Sequence, residues 1–265
     1  MSAQDSEIVL DVSNVNVRFG GVVALADVSF SVPKGPGIFG MIGPNGAGKT
    51  TLFNMISGFV RPQPGSSIRL EGQEIVGLPI HRIARLGITR TFQNISLIRD
   101  QTVEQNILMG FHSRLRYGVL ASILPLRSVQ AAEKAVHQRI LDDLDLLKVP
   151  RLFLQEKAGL LPLGLQKKIE VARALAADPK LLLLDEPAGG LNDNETEALA
   201  EALLAVASRP GLTILLIDHD MNLMMQICSR ICVLDFGRRI ALGSPGEVQR
   251  DATVIESYLG TPDAA

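Results

Sequence analysis

Apolar and polar residues alternate at the start of the chain. Val28-Ser29-Phe30-Ser31-Val32 alternates cleanly, while Val9-Leu10-Asp11-Val12 and Val15-Asn16-Val17 do so loosely. A period of two sends successive side chains to opposite faces of a pleated backbone, so Ile8 to Val32 predicts short β-strands. Ile38-Phe39-Gly40-Met41-Ile42 is apolar throughout and predicts a buried strand running into a glycine-rich turn. A helix is expected from Lys49 to about Ser57, ended by Pro62, Pro64 and Gly65. Strands are expected again at Ser67–Leu70 and Ile88–Phe92.

The period then changes. Val103 to about Ala158 reads as helical. Ala132, Val136, Ile140, Leu144 and Leu147 recur at helical spacing, and Pro150 ends the run. This pattern fits either a helical layer of the core or a separate helical unit inserted into it. Phe111 to Leu126 is apolar but interrupted by Arg114 and Arg116, and reads as packing of such helices rather than as a helix lying in a membrane surface. After Gly164 come a helix to about Ala177, a strand at Leu181–Leu184, a helix at Glu195–Ala207 and a strand at Thr213–Ile217. A helix from Asn222 and a strand at Ile231–Leu234 follow. Strand–helix alternation predicts a mainly parallel sheet covered on both faces. Pro245–Leu259 reads as short packed helices, and Thr261–Ala265 as a frayed end.

A chain of 265 residues can bury a sizeable core. The net charge of -2 argues against a dedicated nucleic-acid binder, which carries a basic stripe. No apolar run approaches the roughly 20 residues that cross a bilayer. Met1 to Glu7 lacks the basic and apolar pattern of a signal peptide. A cytosolic chain that meets a membrane only through a partner is expected. Cys228 and Cys232 have no further metal ligands beside them and read as reduced, packed thiols.

The strongest chemical signal is Gly43-Pro44-Asn45-Gly46-Ala47-Gly48-Lys49-Thr50-Thr51, between a predicted buried strand and a predicted helix. Small residues let the backbone wrap phosphate oxygens with successive N–H donors, and the helix start adds its positive dipole end. Lys49 would reach the β- and γ-phosphates, and the Thr50 hydroxyl would bind Mg²⁺. An apolar strand delivers Asp185 and Glu186 to its C-terminal tip, the edge at which open α/β sheets bind ligands. Asp185 is expected to hold the Mg²⁺ shell, and Glu186 to orient or deprotonate the attacking water. His219, after the strand at Thr213–Ile217, can stabilise charge on the γ-phosphate. Gln93 can reach the metal or the water.

With these residues in order, the sequence resembles the ATP-binding cassette subunits of ABC transporters over nearly its whole length. Phe19 sits where the family stacks an aromatic ring on adenine, and Gln93 in the loop that couples to the membrane subunit. Leu161-Pro162-Leu163-Gly164-Leu165-Gln166 sits at the signature motif, Gly190-Leu191-Asn192 at the dimer-contacting loop, and His219 at the switch histidine. The chain departs from the usual signature, Leu-Ser-Gly-Gly-Gln. Pro162 replaces the serine, Leu163 the first glycine and Leu165 the glutamine, and Asn192 stands where aspartate is commonest. A weakened contact to the partner's ATP, or an asymmetric pair of sites, is expected.

The resemblance implies an α/β fold: a P-loop nucleotide-binding core with a mainly parallel sheet, an N-terminal antiparallel β layer and an inserted helical subdomain. It implies one domain over 8–260, with the core at about 8–100 and 178–243, the helical subdomain at about 101–177 and a helical tail at 244–260. ATP and Mg²⁺ are the expected ligands. Pro162, Gly164 and Asn192 are expected to act across a dimer. The expected partners are a second ABC ATPase subunit, two transmembrane permease subunits and, indirectly, a periplasmic solute-binding protein, at the cytoplasmic face of the membrane. Val17 to Gly21, Arg90 to Asn94, Asp185 to Asn192 and Tyr258-Leu259-Gly260 look like the ATPases of branched-chain amino acid importers. Relatives of that group serve urea, amides or aromatic acids. A non-transport ABC ATPase, another P-loop enzyme such as a kinase, and an ATP-binding regulatory module are the alternatives.

Overall fold

A computed structural model of the protein describes residues 7–111 and 127–259. Strand β1 (Ile8–Phe19) turns back through Gly20 and Gly21 into β2 (Val22–Pro33). The two loosely alternating stretches of β1 are one strand, not two. Asn14 adopts φ 50° and the register against β2 slips between Val12 and Val15, so the buried face shifts phase there. A bulge of this kind hides a continuous strand from a period-two reading. With β4 (Ser67–Leu70) and β5 (Gln73–Glu74) these strands form an antiparallel sheet in the order β2-β1-β4-β5.

The second sheet has the order β10-β9-β3-β8-β7-β6. Its members are β3 (Ile38–Ile42), β6 (Ile88–Arg90), β7 (Leu181–Asp185), β8 (Thr213–Ile217), β9 (Cys228–Asp235) and β10 (Arg238–Gly243). All pair in parallel except β10, which returns antiparallel along β9. Strands β3, β7 and β8 are buried at every position, which explains their unbroken apolar sequences. Alternation still divides them. Phe39, Met41, Leu181 and Leu183 face a core shared with the antiparallel sheet and α1 (Lys49–Ile56), whereas Ile38, Ile42, Leu182 and Leu184 face the helices.

Those helices are α3 (Val103–Gly110), α4 (Arg127–Leu146), α5 (Leu163–Leu175), α6 (Asp193–Ala207) and α7 (Met221–Ile227), with α8 (Pro245–Arg250) and α9 (Ala252–Leu259) closing the end. Helix α2 (Ile80–Leu86) precedes β6 and packs Ile83 into the other core. Four sequence expectations need correction. Strand β6 stops at Arg90, because the chain leaves the sheet before Phe92 and Gln93. Residues 148–162 are turns, with short 3₁₀ segments at Arg151–Phe153 and Ala158–Leu160, rather than continuous helix. Helix α5 starts one residue before Gly164, after Pro162, and α6 starts two residues before Glu195, at Asp193. Strands β5 and β10 and helix α2 were not foreseen. The helical reading of Phe111 to Leu126 lies outside the described residues apart from Phe111, which is buried. The frayed end at Thr261–Ala265 and the reading of Met1 to Ser6 also lie outside them.

Candidate functional site

Parallel register brings the chemistry together. Met41 and Asp185 both pair with Ile217, so the C-terminal ends of β3, β7 and β8 stand level. The glycine-rich loop, Glu186 and the Asp218-His219 pair leave these three ends at one edge of the sheet. Arg90 pairs with Leu183, and the Thr91 N–H donates to the Leu183 carbonyl at 2.9 Å, so the chain beyond β6 reaches the same edge.

The loop from Gly43 to Thr51 has the backbone of a phosphate cradle. Gly46 and Gly48 adopt φ 83° and 100°, conformations in which a side chain is strained. At Gly48 there is no room for one either: a Cβ would lie 2.6 Å from a Leu25 methyl carbon and 2.7 Å from the Ala24 carbonyl oxygen. Ala47 is buried and its carbonyl accepts from the Gly237 N–H at 3.2 Å, which ties the loop to the β9–β10 turn. Asn45, Gly46 and Thr50 are exposed. Lys49 folds back, and its ammonium donates to the carbonyls of Gly43 (2.6 Å) and Pro44 (3.0 Å). Burial pushes the Lys49 ammonium below its usual range, while Glu186 and Asp185 push it back up. Both carboxylates are thus close enough to act on the ammonium electrostatically.

Asp185 is buried, and its Oδ2 accepts from Arg90 Nη2 at 2.6 Å. Arg90 also donates to Asn54 Oδ1 at 2.7 Å and lies over the rings of Phe53 and Phe92. Sequence reasoning overlooked Arg90. An arginine ending a short apolar-led strand, directly before Thr91 and Phe92, is the signal that it has a partner.

Glu186 adopts φ 48° immediately after β7, with its N–H bonded to the Ile217 carbonyl at 2.8 Å. Left-handed backbone costs a non-glycine residue about 1–2 kcal/mol. Here it turns the carboxylate out of the sheet. Glu186 Oε2 accepts from Gln93 Nε2 at 2.7 Å and lies 3.9 Å from His219 Nδ1. Gln93, Glu186 and His219 are thus gathered, and the His219 side chain is 66% exposed to solvent. Asp218, not singled out from the sequence, is buried and accepts the N–H groups of Ala188 (3.0 Å), His219 (2.8 Å) and Asp220 (3.0 Å). It pins the turn after Glu186 to the turn that carries His219.

The residues expected to act across a dimer form a second cluster. Pro162 caps α5 from the position before its first turn, and the Leu165 and Gln166 N–H groups both donate to its carbonyl at 3.1 Å. Asn192 caps α6 and exchanges hydrogen bonds with Glu195. The two helix starts abut: a Cβ on Gly164 would lie 3.3 Å from Glu195 Oε1, and one on Gly190 would lie 3.2 Å from a Leu163 methyl carbon. Among the described residues, no hydrogen bond joins Pro162, Gly164, Asn192 or Phe19 to the glycine-rich loop. Phe19 ends β1 and is 51% exposed.

The oxygen donors of Thr50, Asp185 and Gln93 suit a hard divalent cation. Among the described residues no group of three His, Cys, Asp or Glu side chains is placed to hold a metal ion. Such a cation would complete its shell with ligand oxygens. No described helix is long and apolar enough to cross a membrane.

Comparison with known proteins places the chain's sequence and fold. Residues 25–189 match the ABC transporter family model, and residues 238–264 match a branched-chain amino acid ATP-binding cassette transporter model. The chain is 40% identical over 255 residues to the high-affinity branched-chain amino acid transport ATP-binding protein BraF of Pseudomonas aeruginosa, covering 96% of this chain and 99% of the relative. It is 39% identical over 258 residues to LivG of Escherichia coli, a protein of the same description, again covering 96% and 99%. A crystal structure of an ATP-binding cassette of an ABC transporter in its ADP conformation superposes with a TM-score of 0.80 at 29% identity, covering 96% of this chain and 99% of that one.

Proposed function

The chain belongs to the ABC transporter family and is an ABC ATPase, and on that premise we propose that it energises an importer of branched-chain amino acids or a related small polar solute. The observation that carries the catalytic half of this reading is the convergence of Gln93 and His219 on Glu186, at 2.7 and 3.9 Å, beside the glycine-rich loop. The solute class rests on the relatives' names and on the C-terminal family match.

In this reading the backbone of residues 43–51 holds the ATP phosphates, Lys49 leaves its two carbonyl acceptors for them, and Phe19 stacks on adenine. Thr50, Asp185 and Gln93 would hold Mg²⁺, which when bound offsets charge on the phosphates. Glu186 takes a proton from the water that attacks the γ-phosphorus, and ADP leaves. His219 donates to the γ-phosphate as negative charge spreads there. The present Gln93–Glu186 bond occupies the carboxylate that must face the water, so Gln93 has to move before turnover.

A second cassette completes the site. Pro162, Gly164 and Asn192 lie at two helix starts whose N–H groups and positive dipole ends suit the γ-phosphate of a partner's ATP. The missing serine hydroxyl weakens that contact. The division into a nucleotide-binding core (8–100, 178–243), a helical subdomain (101–177) and a tail (244–260) belongs to the same proposal. Two permease subunits would meet the chain at the cytoplasmic face of the membrane, fed by a periplasmic solute-binding protein. A cavity of about 430 Å³ lined by Phe59, Ile80, Phe92, Met109 and Arg173 is a fitting dock for a permease segment. Phe92 lines it one residue before Gln93, so occupancy would be felt at Glu186.

Deleting the gene and measuring uptake of labelled leucine, isoleucine, valine, urea and an aromatic acid tests the solute class. Selective loss of branched-chain uptake is expected. Loss of urea, amide or aromatic acid uptake alone would move the chain to those importers, and no loss at all would favour a non-transport ATPase.

A further inference from the structure

Lys167 sits in the second turn of α5 with only 5% of its surface exposed. Burying an ammonium is costly unless its hydrogen bonds are met, and a lysine in this setting normally pairs with a carboxylate. The partners of Lys167 are instead two main-chain carbonyls, those of Gln93 at 3.3 Å and Glu186 at 3.5 Å. The nearest acidic residue on the same helix is committed elsewhere: Glu170 Oε1 accepts from the Ser96 N–H and hydroxyl and from Arg173.

The two carbonyls belong to the two residues already joined by their side chains, Gln93 and Glu186. One cation therefore bridges both partners from behind. Glu186 is also the residue held in left-handed backbone, where its carbonyl has, among the described residues, one further donor, the Gly189 N–H at 3.1 Å. The Gln93 segment is neither helix nor strand and relies on such contacts for its position. At the other end, Gln166 donates to the Leu161 carbonyl at 2.7 Å, fastening the start of α5 to the segment that contains Pro162. Leu161, Pro162, α5, Lys167, Gln93 and Glu186 thus form a continuous chain of contacts. A methionine would fill similar space without the desolvation cost, so replacing Lys167 by Met separates what the charge holds from what the side chain packs.

We infer that Lys167 is a positioning residue that links the start of α5 to Gln93 and Glu186, setting the catalytic carboxylate when the helix start is engaged. The inference rests on the reading of Glu186 as the group that activates water. Lys167 acts on the main-chain carbonyls of these residues, through which it would set their side chains. Its loss should slow turnover while leaving ATP binding intact.

The test compares the full chain, assembled with its partner subunits, as wild type, Lys167→Met and Lys167→Arg. Steady-state hydrolysis gives kcat and KM, and a fluorescent ATP analogue gives affinity. Loss of one charged hydrogen-bonded link predicts a fall in kcat of about tenfold or more for Lys167→Met. KM and nucleotide affinity stay within about twofold, and Lys167→Arg recovers most of the lost kcat. Unchanged kcat in Lys167→Met overturns the inference, as does equal loss in both variants or a parallel loss of affinity. Should Lys167→Met fail to fold, Lys167→Gln, which keeps a neutral donor of shorter reach, must show the same split between kcat and KM. An inactive wild type would instead overturn the function proposed for the whole chain.

Discussion

Arg90 and Asp185 form a buried ion pair, Nη2 to Oδ2 at 2.6 Å, across the ends of neighbouring strands β6 and β7. Both side chains are less than a tenth exposed. The pair fixes the carboxylate that closes β7, and Asn54 on α1 ties the same guanidinium to the helix that follows the phosphate cradle. Arg90→Met leaves Asp185 buried without its cation. Breaking a buried pair from one side costs about 3–5 kcal/mol. Urea unfolding should show a loss of that order, and a change below about 1 kcal/mol would mean that Asp185 is solvated or partnered elsewhere.

In the proposed function Lys49 is the cation that takes up the ATP phosphates. Charge-assisted hydrogen bonds contribute about 1.5–3 kcal/mol each, so Lys49→Ala should weaken ATP binding by roughly 10- to 100-fold. Titration calorimetry with the nucleotide checks this, and unchanged affinity would place the phosphates elsewhere.

Gly48 combines a positive φ of 100° with a Cβ position that collides with Leu25 and Ala24. Gly48→Ala should therefore destabilise the fold by about 1–3 kcal/mol. It should also distort the cradle, lowering ATP affinity. A stable variant with full affinity would show that the loop adopts another conformation in solution.

The elements that were legible in the sequence are those whose chemistry is contiguous. The glycine-rich loop is a run of nine residues, and Leu181 to Glu186 announces both a buried strand and its acidic tip. Arg90, Asp218 and Lys167 escaped because their partners are distant in sequence: Arg90 meets Asp185, Asp218 meets Ala188, and Lys167 meets Gln93. Periodicity records which face of a helix is apolar, and Lys167 breaks that pattern without saying what it meets. Strand β10 was missed because Arg238-Arg239-Ile240-Ala241-Leu242 is an edge strand with little alternation, and β1 was split by the bulge at Asn14.

Cys228 and Cys232 are buried, and burial pushes both thiols up to about 12. Because the folded pKa lies above the unfolded one, each thiol stabilises the fold below the ordinary thiol range. That contribution is lost as pH rises from about 9 towards 12. At pH 8 both thiols stay protonated and are shielded by burial, so labelling by a disulfide reagent should be negligible until denaturant is added. Rapid labelling of the native protein would contradict the packing of β9 against β3 and α7.

The most direct test is Glu186→Gln, measured for hydrolysis and for mass by light scattering with ATP present. Removing the proposed general base should slow turnover by about 10²- to 10⁴-fold while ATP affinity is kept, and the variant should run as a dimer holding ATP. Turnover near the wild-type rate, or a mass that does not respond to ATP, would contradict both the role of Glu186 and the site shared between two chains.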